Sequence, residues 1–575
     1  MTDIRRTILW VIFGFSLVML WDQWQVYNGK PATFFPTGKP AVTAKAPASS
    51  PAANANATAA AGVSTVPQAT AAATPGAVPP VPAGTPAAGP RELVTVANDV
   101  MRVTFDTEGG AIVRTELLKY QGDKTGEPFV LMNQNAERVY LAQTGLIGGD
   151  FPNHKSIMSF SGDKALKEGA NEMTVRFESP VQGGVKLVKT FTLHRGDYTM
   201  AVKHEVVNTG TTPVTPQLYL QLVRDGNKLP GESSFYSTFT GPAIYTPEHK
   251  FHKLEFKDIE AGKAEVPKDS EGGFIAMVQH YFASAWIFPE GVKHGNFVRK
   301  VDNNLYAVGM ITPLTVEPGA TGTVTSKFFS GPEEEKRLEL IAPGLDLVKD
   351  YGWLAIIAKP LYWLLSFLHS YIGNWGWSIM ALVLIIKIAF YWLQAKGYQS
   401  MAKMKAINPK VMAMRERFKD TPQQMQQEMM RIYREEKVNP LGGCLPIMVQ
   451  IPVFIALYWV LLSSVEMRGA PWILWIHDLS VQDPFFILPA IMTLTSLFQT
   501  ALNPVPPDPM QAKMMWIMPL VFSVMFFFFP AGLVLYWITN NVLSIAQQWL
   551  INYRMGVPPE FNLPKFGAAA DAAKK

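Results

Sequence analysis

The chain has 575 residues, of which 48% are hydrophobic and only 17% are charged, a balance typical of proteins that work in a membrane. A single cysteine, Cys444, excludes any disulfide within the chain. The net charge of +5 conceals an asymmetry. Residues 91–350 carry 28 Lys and Arg against 33 Asp and Glu, so the basic excess lies in the other segments, beside the apolar runs. Basic residues in such places are typical of cytoplasmic loops.

The N-terminal segment 1–29 predicts an uncleaved transmembrane anchor. Two arginines precede an apolar run from Ile8 to Leu20, and no pair of small residues suited to signal cleavage follows it. Tryptophan and tyrosine residues suited to a membrane interface come next, so we expect the basic end to lie inside the cell. Residues 30–90 are dominated by Ala, Pro, Thr and Gly and cannot bury a core, which predicts a flexible linker.

Residues 91–342 show the alternation of β-strands. In the stretch DYTMAVKHEVVN, Tyr198, Met200, Val202 and Val206 fall on one face. Clusters of Gly, Pro, Asn and Asp interrupt similar runs at strand-like intervals. We predict one large antiparallel β-sandwich, which lies outside the cytoplasm because it follows an exported anchor.

The remainder of the chain is strongly apolar and predicts an α-helical polytopic core, residues 375–552. Five spans are expected there: Trp377–Ala395, Leu445–Ser463, Pro484–Leu502, Met514–Phe529 and Gly532–Leu550. Together with the anchor they give six transmembrane helices, with both chain termini in the cytoplasm. Residues 553–575 then form a cytoplasmic tail.

The apolar segment Tyr351–Ile372 is a further candidate span, interrupted by Pro360. If it crossed the membrane, the loop from Lys396 to Lys437, with ten Lys and Arg against five Asp and Glu, would lie outside. That arrangement contradicts the positive-inside rule. We therefore predict that residues 343–374 contain an amphipathic helix on the outer membrane interface.

Lys387 lies in the middle of the apolar run LVLIIKIAFYW, where a cation costs at least about 2.5–3.5 kcal/mol. One interpretation is that Lys387 snorkels toward the headgroups. The other is a polar cavity between the helices. Lys396 marks the inner boundary nine residues further on, roughly 13 Å along a helix, which is more than a lysine side chain can reach. Polar residues on other spans favour a groove, although they also suit ordinary interhelical hydrogen bonds. The candidate groove residues are Lys387, Gln450, Thr495, Gln499, Trp537 and Asn540.

The loop 396–439 predicts two helices that form a cytoplasmic hairpin, the second one opened by Thr421 and Pro422. Seven methionines are interleaved with basic residues along it. Flexible methionine side chains suit varied apolar partners. Packing within the hairpin, with attraction to anionic headgroups, explains the pattern equally well. The candidate capture residues are Met404, Met412, Met414, Met425 and Met429.

No motif for catalysis or for a cofactor is apparent. His249 and His252 are three residues apart but suit a surface loop better than a metal site. We find no phosphate-binding glycine loop and no nucleophile motif. The expectation is a protein that is not an enzyme and has no metal, no cofactor and no nucleic-acid specificity.

Four stretches, NPLGGCLPIMVQIPVFIALYW (439–459), LWIHDLSVQDPFFILP (474–489), DPMQ (508–511) and FPAGLVLYW (529–537), resemble the YidC membrane protein insertase family of Gram-negative bacteria. The order of anchor, linker, periplasmic domain, interfacial helix and core resembles it too. The resemblance implies a periplasmic β-supersandwich and five core helices around a hydrophilic groove open to lipid and cytoplasm. Lys387 stands where the family usually has arginine.

The resemblance further implies an inner-membrane insertase and chaperone that acts alone or beside the Sec translocon. Its implied partners are nascent inner-membrane proteins, Sec translocon components, the ribosome, the signal recognition particle receptor and membrane lipids. Two other classes stay open. A solute transporter would use the intramembrane lysine, although no span contains the Asp or Glu that proton coupling usually needs. A membrane-tethered periplasmic carbohydrate-binding or carbohydrate-processing protein is the other.

Overall fold

The computed structural model describes residues 66–67, 90–122, 126–229, 238–418, 421–436, 445–503 and 509–554, together with 556 and 561. The predicted anchor 1–29, nearly all of the linker 30–90 and nearly all of the tail 553–575 lie outside these residues.

The first part of the described chain is a large antiparallel β domain. Its strands are β1 (Leu93–Ala97), β2 (Met101–Asp106), β3 (Ala111–Gln121), β4 (Pro128–Gln134), β5 (Val139–Ile147), β6 (Ser159–Gly162), β7 (Glu172–Glu178), β8 (Val185–His194), β9 (Thr199–Asn208), β10 (Gln217–Asp225), β11 (Gly241–Thr246), β12 (Lys250–Lys253), β13 (Asp269–Gln279), β14 (Phe282–Asp302), β15 (Leu305–Pro313) and β16 (Thr321–Pro332).

The strands form one sheet in the order β1-β2-β3-β4-β5-β10-β15-β14-β16-β9-β8-β7-β6, and β11, β12 and β13 branch from β14. The two ends of this path pack on each other. The ring of Phe105 in β2 lies 5.2 Å from that of Phe177 in β7 and 4.8 Å from that of Phe191 in β8. The sheet therefore folds over one large apolar core, and the prediction of a large antiparallel β domain is confirmed.

The alternation in the sequence identifies the buried face of β9 correctly. Met200, Val202 and Val206 are buried in the structure, and Tyr198 just before the strand is buried with them. His204 follows the same alternation and is also fully buried. A polar residue therefore shares the core face of β9 with three hydrophobic ones.

Ten α-helices occur in the described residues: α1 (Phe256–Glu260), α2 (Glu335–Ile341), α3 (Ala355–Ile372), α4 (Trp375–Ala389), α5 (Tyr391–Arg417), α6 (Pro422–Glu435), α7 (Leu445–Ser463), α8 (Ile487–Leu502), α9 (Pro509–Phe526) and α10 (Ala531–Arg554). The last seven correspond to the predicted core spans and the hairpin, although α8 starts after Pro484 and α9 ends before Phe529.

The prediction that Trp377–Ala395 is one continuous helix is wrong, because the chain bends by 68° between α4 and α5. Phe390 leaves the helical conformation there, with φ −94° and ψ 9°. Neither Pro nor Gly occupies the bend, so no residue type marks it in the sequence. Among the described residues no single helix is long and apolar enough to cross a membrane. Helix α4 and the start of α5 together have the length and composition to do so.

Helix α3 corresponds to the segment that the sequence predicts to lie on the membrane interface. Ala358, Tyr362 and Leu365 are buried on one side, against α7 and α4. The opposite side exposes large apolar residues, including Ile356 at 84% and Trp363 at 63%. A folded helix with one packed face and one exposed apolar face is the arrangement expected beside a lipid surface.

The β domain and the helical core meet at the turn after α7. The carboxylate of Glu466 accepts a hydrogen bond from the Tyr362 hydroxyl and lies 3.4 Å from Lys349 Nζ. Two residues on, Arg468 donates to the carbonyl oxygen of Gln121 at 2.9 Å and its guanidinium lies 4.9 Å from the ring centre of Phe129. This turn joins both parts through charged hydrogen bonds, which are among the stronger ones.

Candidate functional site

Lys387 lies inside the helical core rather than at its surface. The residue is only 7% exposed, and its ammonium donates to the Ser544 hydroxyl oxygen at 2.6 Å. That hydroxyl in turn donates to the carbonyl oxygen of Asn540, one turn earlier in α10, at 2.7 Å. The cation is thus held between α4 and α10.

A cavity of about 300 Å³ adjoins this contact. Its lining comes from α5, α7, α8, α10 and the residue after α8. The lining residues are Gln394, Gly397, Tyr398, Met401, Gln450, Ile451, Phe454, Gln499, Asn503, Tyr536, Trp537, Asn540, Asn541 and Ser544. This described lining includes several amides and hydroxyls but no Asp or Glu, so the nearby charge of Lys387 is not neutralised by a carboxylate of the lining.

Most of the predicted groove residues come together here. Gln450, Gln499, Trp537 and Asn540 line the cavity directly. Lys387 reaches it through Ser544. Thr495 does not line it, although its hydroxyl lies 3.2 Å from the amide nitrogen of Asn541, which does.

Hydrogen bonds between helices use part of the polar capacity of the cavity. Gln450 Nε2 donates to Asn540 Oδ1 at 2.9 Å and so joins α7 to α10. Asn541 Nδ2 donates to Ser496 Oγ at 2.8 Å and joins α10 to α8. Both of the interpretations open at the level of sequence, interhelical bonding and a polar cavity, therefore apply to the same residues.

Two buried amides of α5 and α10 have unused polar atoms, and one of them, Gln394, lines the cavity. Gln394 Oε1 and both amide atoms of Gln547 have no hydrogen-bond partner among the described residues. A buried polar atom without a partner costs about 1–3 kcal/mol. The arrangement is therefore better suited to a solvated groove than to a dry helix interface.

Trp537 lines the cavity and belongs to an aromatic cluster. Its ring centre is 4.7 Å from that of Phe454 in α7 and 5.0 Å from that of Phe526 in α9. Such edge-to-face and tilted contacts are favourable beyond the area they bury. They connect α7, α9 and α10 through one residue.

Sequence reasoning missed the contribution of α5 to the site. Gln394, Tyr398 and Met401 line the cavity, whereas the sequence placed them at the boundary of the span and in the hairpin. Asn503 and Asn541 were missed as well. The bend at Phe390 brings α5 across the cavity, and no residue pattern marks that bend.

The hairpin methionines divide into two groups. Met414 is buried, and Met404, Met425 and Met429 pack around the small core of Ile407 and Val411 between α5 and α6. Packing within the hairpin therefore accounts for four of the five candidates. Met412 is 54% exposed and Met430, a residue outside the five, is 46% exposed.

His249 and His252 are exposed, as expected, but His252 belongs to the short strand β12 rather than to a loop.

Comparison with known proteins covers nearly the whole chain. Residues 93–364 match the family of the YidC periplasmic domain, and residues 367–557 match the family of the 60Kd inner membrane protein. A membrane protein insertase YidC of Cupriavidus taiwanensis is 56% identical over 96% of this chain and 98% of its own length. The corresponding protein of Cupriavidus necator is 55% identical over the same shares.

One solved structure is described as an active YidC insertase with the first transmembrane domain resolved. It is 20% identical and covers 80% of this chain and 94% of its own, with a TM-score of 0.37. The family assignment rests on the sequence matches and not on this superposition.

Proposed function

The chain belongs to the YidC family of membrane protein insertases, and on that premise we propose how its own residues perform insertion. Its function is to insert membrane proteins. We propose that the cavity beside Lys387 is the hydrophilic groove that receives the polar part of a substrate. The 2.6 Å contact of Lys387 with Ser544, at the edge of a lining without carboxylates, is the observation that carries this proposal.

The groove lowers the barrier to translocation by shortening the hydrocarbon path. A polar tail that enters it keeps hydrogen-bond partners, which include the unused Oε1 atom of Gln394 in the cavity lining. The positive charge of Lys387 attracts acidic residues of that tail. Water in the groove supplies the remaining partners, so no nucleotide hydrolysis is required at this step.

The driving force is the transfer of the substrate's apolar segment into lipid. We propose that this segment leaves between α7 and α9, the third and fifth of the proposed spans when the N-terminal anchor is counted as the first. The outer faces of both helices are apolar and exposed: Met448 at 64% on α7, and Val521 at 61% and Val524 at 62% on α9. The aromatic cluster around Trp537 connects the same two helices, and we propose that it closes the groove toward the periplasm.

The architecture that we propose has six transmembrane helices, with both termini in the cytoplasm of a Gram-negative cell. Residues 91–342 form a periplasmic domain of the supersandwich type, and α3 lies on the outer interface. The hairpin of α5 and α6 meets substrates on the cytoplasmic side through the exposed Met412 and Met430. Sec translocon components, the ribosome and the signal recognition particle receptor are proposed further partners.

Site-specific photocrosslinking to a nascent single-span protein tests this assignment. A photoreactive residue at Gln450 or Gln499, both in the cavity lining, should crosslink the substrate's polar tail. The same residue at Trp549 is the matched control, because Trp549 lies on α10 but is 50% exposed and does not line the cavity. Crosslinks of equal yield at all three positions would contradict a groove that receives substrate.

A further inference from the structure

Besides the cavity in the helical core, the protein has a large cavity in the β domain, on one face of the sheet. It measures about 980 Å³ and is lined by strands β10, β13, β14 and β15 together with a residue of the linker, Pro67. Pro67 is buried there, although the composition of residues 30–90 predicts a flexible linker.

Beside the cavity, four side chains form an apolar platform across neighbouring strands. Tyr219 of β10 pairs with Ile311 of β15 and with Gly145 of β5, two residues before Ile147. Phe297 of β14 pairs with Gly309, two residues before Ile311. Alternation along each strand therefore places Ile147, Tyr219, Ile311 and Phe297 on the same face.

Two glycines make room for the rings of this platform. A Cβ atom at Gly309 would lie 2.1 Å from the Cζ atom of Phe297, and one at Gly145 would lie 2.6 Å from the hydroxyl oxygen of Tyr219. Both distances are far shorter than any allowed contact. The rings can lie across the neighbouring strands only because these two positions have no side chain, and the result is a flat apolar surface.

One residue of the linker, Val66, contacts this platform. It packs against the cluster of Ile147, Tyr219 and Ile311 together with Phe297. The next residue, Pro67, continues into the cavity. A proline restricts the residue before it to an extended conformation, so a Val-Pro dipeptide loses little conformational entropy when it binds. Aromatic surfaces are the usual docking sites for extended proline-containing segments.

The charge of the cavity fits the same occupant. Three acidic residues, Glu248, Asp269 and Glu271, and three basic ones, Lys268, Lys293 and Arg299, line it. The balance of charge does not select a charged ligand. Residues 46–90 of the chain contain no Asp, Glu, Lys or Arg, so this neutral segment binds without leaving an unpaired charge.

We propose that the β domain holds the linker in place, with Val66-Pro67 docked on the platform as an intramolecular tether. The linker then consists of two separate connections: residues 30–65 join the anchor to the tether, and residues 68–90 return to β1. The tether shortens the chain that separates the anchor from the β domain to residues 30–65. It depends neither on the groove nor on insertion.

Protection of a cysteine from a maleimide tests the tether in the detergent-solubilised full-length protein. Cys444→Ser removes the only native thiol, and Val66→Cys then introduces one of similar size and apolar character. Val78→Cys and Val81→Cys, each made in the same background, are matched controls, because Val78 and Val81 also precede prolines in the same linker. We expect the Val66→Cys variant to react at least about tenfold more slowly than either control, and at the same rate as both in denaturant.

A second substitution distinguishes docking on the platform from protection elsewhere. Adding Phe297→Ala to the Val66→Cys variant should raise its reaction rate toward that of the Val81→Cys variant, whereas Phe251→Ala, which alters a ring outside the platform, should not. Equal rates in the three single-thiol variants would overturn the tether. So would protection that survives Phe297→Ala and Ile311→Ala, or protection that disappears on dilution, since the last result would indicate docking between two molecules.

Discussion

The Lys387 ammonium donates to the Ser544 hydroxyl oxygen at 2.6 Å, and this contact fixes the only charge of α4 beside a polar cavity. Ser544 is itself bound to the backbone of its own helix. The cation therefore keeps a defined position without a carboxylate from the cavity lining, and it is available to one that a substrate brings.

Substitutions of Lys387 should separate charge from structure. Lys387→Arg should be nearly neutral, because charge and approximate reach are kept, although a guanidinium is larger. Lys387→Ala should impair substrates with acidic tails more than those with neutral tails. The lost attraction is about 4 kcal/mol for unit charges roughly 4 Å apart at an effective dielectric constant of about 20, and less in a watered groove. Lys387→Glu should be the most impaired variant.

The measurement is an insertion assay on paired substrates that differ only in tail charge. Ser544→Ala is the control, because it removes the hydrogen bond and keeps the cation. It should affect both tails alike. Equal loss for both tails in Lys387→Ala would assign Lys387 to the fold or the hydration of the groove, with no part in recognition.

The hairpin variants follow from the division of its methionines. Replacing the exposed Met412 and Met430 by Glu should lower insertion several-fold while changing stability by less than about 0.5 kcal/mol, as is usual at surface positions. Met414→Ala should instead destabilise the hairpin by roughly 2 kcal/mol, because Met414 belongs to its buried core. Insertion rates and protease resistance of the hairpin distinguish the two effects.

Deleting residues 404–435 should abolish insertion and leave the spans folded. Normal insertion by a stably expressed deletion variant would exclude the hairpin as a site of substrate capture.

Glu466→Gln should weaken the junction between the β domain and the core. Lys349 has a side chain with 0% exposure and lies 3.4 Å from Glu466. Removing the charge leaves a buried cation with a weaker partner. Breaking a buried pair costs up to about 3–5 kcal/mol, and less is expected here because the ring centre of Tyr362 lies 3.9 Å from the ammonium. The control is Glu205→Gln, whose partner Lys203 is 49% exposed, and which should change the stability by less than about 1 kcal/mol. Thermal unfolding measures the stability of both variants. Equal decreases in their melting temperatures would contradict this account of the junction.

The β domain should lose stability as the pH falls below about 6.5. Burial, with a smaller contribution from the charge of Lys189, lowers the pKa of both His154 and His204 from 6.5 to about 3. Between these two pKa values the unfolded chain therefore binds protons that the folded chain does not, so the free energy of unfolding decreases as the pH falls. Each histidine should contribute a loss of roughly 2 kcal/mol between about pH 7 and pH 5.

His204→Gln keeps a polar group near Thr144, the partner of His204 at 3.1 Å, and removes one of these titrations. The free energy of unfolding, measured with denaturant and by hydrogen exchange of β8 and β9, should depend less steeply on pH in this variant. An unchanged slope would mean that His204 is protonated in the folded domain.

Local patterns were sufficient to predict most elements and several groove residues. Period-two alternation identified the buried face of β9, and long apolar runs identified α7, α8 and α10, because these signals depend on residues close together in the chain. The energetic cost of an intramembrane cation pointed to Lys387, and the occurrence of polar residues on other predicted spans pointed to Gln450, Gln499 and Asn540.

Contacts between distant segments had to be decided by the tertiary structure. The bend at Phe390 has no Pro or Gly to announce it, yet it places Tyr398 and Met401 on the cavity. Which methionines of the hairpin are buried depends on how α5 packs on α6, and all of them have the same local pattern. Val66 is one of several valines in a uniform linker, and only the aromatic platform, assembled from strands between Ile147 and Ile311, distinguishes it. Sequence records what each segment prefers alone, whereas these features arise from surfaces that exist only after the segments have packed.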